Sequence, residues 1–73
     1  MTNFNVSNDA IASEWNFINS KVSAGEFFTV SSVDGMIFNC NKVGDGVFIQ
    51  KAENGYPETE IVVSGNSVRV SAW

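Results

Sequence analysis

The chain has 73 residues, eight Asp plus Glu against four Lys plus Arg, no histidine, and a formal net charge of −4. That length holds one domain, and the missing histidine excludes Ser-His-Asp catalysis and the usual His-based zinc sites. The acidic balance, with Lys21, Lys42, Lys51 and Arg69 scattered along the chain, argues against binding to a phosphate backbone.

Hydrophobic residues make up 44% of the chain and charged ones 16%, which favours a packed core over disorder. A core in a chain of fewer than about 70 to 80 residues usually needs a disulfide, a metal or a second subunit. Cys40 is the only cysteine, so it cannot close an internal bridge, and the cytoplasm is the expected compartment. Oligomerisation is the help that remains. The opening segment MTNFNVSNDA has neither the basic start nor the apolar run of a secretory signal, and no stretch is long and apolar enough for a membrane helix.

Taken in chain order, residues 1–6 read as an N-terminal arm carrying Phe4 and Val6. Residues 7–24 read as an amphipathic helix. Ser7 is its expected N-cap, Asp9 meets the positive end of the helix dipole, and Gly25 follows as the C′ residue. Val6 before the cap and Ile11 at the fourth helical position fit a hydrophobic staple. Ile11, Trp15, Ile18 and Val22 lie on one stripe, which Phe17 and Ala10 widen, and such a stripe needs a sheet to cover.

From Glu26 onward the apolar period becomes two, and residues 26–73 read as an antiparallel meander of about five strands. A two-residue type I′ turn at Asp34-Gly35 would place Phe27, Thr29, Ser31 and Val33 on one face with Met36, Phe38 and Cys40. Phe28, Val30 and Ile37 would then share the other with Asn39 and Asn41. At Gly44-Asp45-Gly46 two registers compete: a two-residue loop sets Val47 and Ile49 beside Phe38, a bulged loop sets Phe48 there instead. The segment AENGYPETE reads as a longer turn, with Pro57 near the start of the next strand. In the last hairpin, a turn at Gly65-Asn66 with Gly first faces Val63 with Val68, Ile61 with Val70 and Thr59 with Ala72. The opposite face then pairs Val62 with Arg69, Glu60 with Ser71 and Glu58 with Trp73. The expected fold is α+β: a single domain, one N-terminal helix packed on this meander.

Chemistry is sparse. The Asp34-Gly35 and Asp45-Gly46 pairs lack the alternating oxygen ligands of a calcium loop, and their glycines lead into strands rather than the helix N-terminus a phosphate cradle needs. They read as turn corners. Cys40 has no base to activate it. Glu53, Glu58 and Glu60 form the densest acidic group, but they flank a turn in a domain too small for a deep cleft, and fit a solvated strand face better than a glycosidase pair. No cofactor, metal or enzymatic activity is expected.

One helix covers one side of a sheet, so apolar side chains on the other side suggest a contact surface, or else a second small core under the N-terminal arm that carries Phe4 and Val6. The expectation is a non-enzymatic protein-interaction module, a homodimer, that binds through the face opposite the helix or an exposed edge strand. Its candidate residues are Phe28, Val30, Ile37, Tyr56, Arg69 and Trp73. In size, acidity and lack of catalytic groups the chain resembles, in general type only, the small accessory proteins of phages and prophages, many of which bind a host protein. The alternative expectation is a small ligand-binding or single-stranded nucleic-acid-associated protein that uses the FNCNK strand and nearby aromatic rings.

Overall fold

Strands that follow one another in the chain pair directly, and the result is one sheet whose spatial order is its chain order. In the computed structural model, which describes residues 2–7 and 11–72, the elements are β1 (Thr2–Asn5), α1 (Ala12–Lys21), β2 (Phe27–Ser31), β3 (Ile37–Gly44), β4 (Val47–Gln50), β5 (Thr59–Ser64) and β6 (Ser67–Ala72). The strands form a six-stranded sheet in the order β1-β2-β3-β4-β5-β6. The α+β class and the antiparallel meander, β2 to β6, are as expected. The arm adds a sixth strand: β1 pairs parallel to β2, with Phe4 beside Val30, and Val6 extends the pairing by donating to the Ser31 carbonyl.

That pairing also explains why the helix is shorter than residues 7–24. Ser7 lies at the exit of β1, and its N–H and hydroxyl both donate to the Glu14 carboxylate, at 2.9 and 3.1 Å to Oε2. It therefore does not cap the helix. The N-cap position falls to Ile11, which is extended and makes no side-chain cap; Asp9 and Ala10 lie outside the described residues. At the other end Val22 leaves the helix with φ −118° and ψ 148°. This turns its side chain into the core, and Gly25 (φ 89°) follows three residues on in a separate turn. Of the expected stripe, Trp15, Ile18 and Val22 are buried, whereas Ile11 and Phe17 are exposed.

The β2–β3 hairpin differs from expectation by one residue, and the difference exchanges its faces. Val30 pairs with Phe38, and Phe28 with Cys40. The Ser32 N–H donates to the Met36 carbonyl and the Gly35 N–H to the Ser32 carbonyl, so the loop is Val33-Asp34-Gly35, a three-residue turn closed by Gly35 at φ 83°. This is the bulged hairpin geometry rather than the type I′ turn. It puts Phe28, Val30, Phe38 and Cys40 together on the inner face, where burial of four apolar side chains selects the register.

At the β3–β4 connection Gly44 pairs with Val47 but Lys42 with Phe48. Val43 is thus the extra residue of a bulge, and Phe48 joins Phe38 on the inner face. Gly46 is fixed by geometry on two counts: its φ is +70°, and a Cβ there would stand 2.6 Å from the Val63 carbonyl oxygen. The next link tightens at Asn54-Gly55, both with positive φ, between Glu53 and Tyr56, which form an isolated bridge. The β5–β6 pairing has the expected register from Thr59–Ala72 to Ser64–Ser67. The pairing expected between Glu58 and Trp73 lies outside the described residues.

The core is the inner face of the sheet under α1. Phe28, Phe48, Trp15, Ile18 and Ile61 are its largest fully buried members, with Cys40 among them. Trp15 meets Phe48 at a ring-centroid distance of 5.1 Å, and Phe28 meets Phe48 and Phe4 edge to face.

Candidate functional site

Two surfaces of this fold offer something to a partner. The first is the sheet face turned away from α1. Alternation along each strand brings Phe27, Thr29 and Ser31 of β2 to that face, with Ile37, Asn39 and Asn41 of β3, Val47 and Ile49 of β4, Glu60 and Val62 of β5, and Arg69 and Ser71 of β6. The cross-strand register lines up Phe27, Asn41, Ile49, Glu60 and Ser71 in one row, and Val47, Val62 and Arg69 in the next. Phe27 is 50% exposed, and the ammonium of Lys51 lies 5.9 Å from its ring centre.

Within this row Asn41 Oδ1 is secluded from solvent and accepts no hydrogen bond. Its neighbour Asn39 is engaged: the Glu53 carboxylate accepts from the Asn39 backbone N–H at 2.5 Å and from Nδ2 at 2.8 Å. Glu53 therefore closes the end of the β3–β4 ladder, where the Lys51 N–H still reaches the Asn39 carbonyl. This gives Glu53 a structural part that its acidic neighbours in the sequence do not suggest.

The second surface is a cleft of about 290 Å³ on the helix side, bounded by Trp15, Val30, Phe38, the Ser32–Met36 hairpin loop, Gln50 and Tyr56. Tyr56 stands edge to face against Phe38 at 5.8 Å. The Ser32 hydroxyl oxygen is buried there without a hydrogen-bond partner.

The residues expected to form one contact surface are thus divided. Phe28 and Val30 are core residues, 0% and 3% exposed, because the three-residue loop turns them inward. Ile37 and Arg69 are exposed on the outer face, Tyr56 belongs to the cleft on the inner side, and Trp73 lies outside the described residues. Phe27, Ile49, Val47 and Val62 carry the apolar part of the outer face. The uniform apolar set Phe28, Val30, Phe38 and Cys40 is the sequence signal that points to this arrangement.

Asp34-Gly35 and Asp45-Gly46 are turn corners, and Asp45 accepts from the Asn19 side chain at 3.0 Å. Among the described residues no group of three or more His, Cys, Asp or Glu could hold a metal ion, and no helix is long and apolar enough to cross a membrane. The Cys40 thiol is buried, and burial, with the Glu53 charge as a lesser cause, pushes its pKa up to about 12. It is a protonated, enclosed thiol at neutral pH, the opposite of an activated nucleophile. No protein-family model, no curated protein and no solved structure matches this chain.

Proposed function

We propose that this chain is a non-enzymatic protein-interaction module of the cytoplasm, and that it binds through the outer face of its sheet, first of all to a second copy of itself. The observation that carries this reading is the apolar part of the outer face, where Phe27 is 50% and Ile37 55% exposed beside half-buried Val47, Ile49 and Val62. An exposed apolar patch wants a cover, and a partner laid on this face supplies it. Self-association suits a core this small, since burying a second face adds apolar area that one helix cannot. Arg69 and Glu60 lie at the rim of the apolar patch, where charge governs orientation more than affinity.

Light scattering across a concentration range tests the reading. The expected mass is twice 7.9 kDa, falling to the monomer value in the Phe27→Ser/Ile49→Thr double variant while its circular dichroism stays native. A monomer at every concentration would reject self-association, and a dimer that survives the double variant would reject this face.

A further inference from the structure

The inner face of the sheet is longer than the helix laid on it, and the cleft on the helix side is the shortfall. The ten residues of α1 span about 15 Å, and beyond Trp15 the described residues leave Val30 and Phe38 facing an open volume of about 290 Å³. Aromatic surface from Trp15, Phe38 and Tyr56 lines it, together with the polar side chains of Ser7, Ser32, Asp34 and Gln50. Its composition is that of a small-ligand site: a mostly apolar concavity with a few polar groups that converge.

Two details narrow the ligand. The Ser32 hydroxyl oxygen is buried with no partner, an unmet group of a kind that folded proteins seldom keep. The only charged residue of the lining, among the described residues, is Asp34. An anionic ligand would meet that carboxylate with no Lys or Arg to offset it. A cation gains from the carboxylate, from the aromatic faces and from the net negative chain.

We propose that this cleft binds a small organic amine, with its apolar body against the rings of Phe38 and Tyr56 and its ammonium group shared between the Asp34 carboxylate and the Ser32 hydroxyl. This site is separate from the outer sheet face, and either can fail without the other.

The test is a titration of the full chain with 2-phenylethylamine near neutral pH, followed by two-dimensional amide NMR, with the neutral isostere 2-phenylethanol in parallel. Saturable shifts are expected at Ser32 to Met36, Gln50, Tyr56 and the Trp15 indole. Asp34→Asn, at an exposed loop tip, is expected to weaken binding about tenfold, and Ser32→Ala several-fold, both with native spectra otherwise. The alcohol should bind about tenfold more weakly than the amine. Absence of saturable shifts, or shifts confined to residues away from this cleft, would overturn the site. Equal binding of the alcohol, or unchanged binding in Asp34→Asn, would overturn the amine.

Discussion

The ammonium group of Lys42, on β3, donates to the carbonyl oxygen of Val22 at 2.9 Å and to that of Asn19 at the same distance. These are carbonyls of the last turn of α1 and the residue after it, the negative end of the helix dipole, left without intrahelical partners. Lys42 is 8% exposed, and its stem crosses the core side of the sheet to get there. A strand lysine therefore does what a C-terminal capping residue does in other helices, and joins the helix to the sheet in doing so.

Replacing Lys42 by Met keeps the apolar stem and removes the donor. The two carbonyls then lose a charge-assisted partner each, and the expected loss is about 2–3 kcal/mol of stability, read as a lower urea midpoint with an unchanged slope.

The Cys40 thiol gives stability a sign with pH. Burial pushes its pKa in the fold up to about 12 from an ordinary 9.0, so the folded state keeps its proton where the unfolded state has lost it. The contribution is fully present below pH 9, and falls as pH rises from there towards 12. Urea midpoints in that range should decline less steeply in Cys40→Ala, although that variant starts from a lower stability. In the native protein at pH 8, thiol reagents should modify Cys40 only at the rate of unfolding.

Two glycines separate conformation from space. Gly35 has φ +83° with nothing within 4 Å of a built Cβ, whereas Gly46 has φ +70° and a Cβ clash with the Val63 carbonyl. Gly35→Ala should cost about 1–2 kcal/mol, the left-handed penalty alone. Gly46→Ala should cost clearly more, because it also forces apart the β3–β4 turn and β5, where the Val63 N–H donates to the Gly46 carbonyl at 2.8 Å. Thermal melts of the two variants check the order.

A core test distinguishes the two faces of β2. Phe28→Ser removes a side chain that is 0% exposed and should cost about 3–5 kcal/mol, enough to unfold so small a domain. Phe27→Ser, one residue away on the outer face, should leave the monomer folded and lower the melting temperature only by what self-association contributes, so that the melt no longer depends on protein concentration.

The Ser32 hydroxyl makes a complementary test. With no ligand present, Ser32→Ala should raise stability by about 1 kcal/mol, since it deletes a buried group that has no partner. A loss of stability would mean that the hydroxyl is satisfied in solution.

What the sequence made legible follows from how locally each feature is determined. The β5–β6 register could be read because Gly65-Asn66 and the alternation of Ile61, Val63, Val68 and Val70 agree on one answer. At β2–β3 the same glycine serves a two-residue or a three-residue loop. Loop composition alone does not separate them, and only the inner set Phe28, Val30, Phe38 and Cys40 does. The helix start was obscured because Ser7 has the right spacing for a cap, yet its N–H and hydroxyl are claimed by Glu14. Strand β1 left almost no trace, as TNFN directs one large side chain, Phe4, inward and is held otherwise by backbone pairing. The apolar outer face was anticipated as a feature, but its residues were displaced by that single slip in the hairpin.

The parallel pairing of β1 also sets an order of assembly. Strands β2 to β6 follow one another in the sheet, three of their four connections being tight turns and the β4–β5 link a longer one, so their pairings are local and form early on the folding route. The Asn3 side chain meets the Thr29 hydroxyl 26 positions further along the chain, across a segment that must first coil into α1 and dock. Closing that loop carries the largest entropy cost in the sheet. The first strand of the chain is therefore the last to join the fold, and in hydrogen exchange its amides should be the first to open.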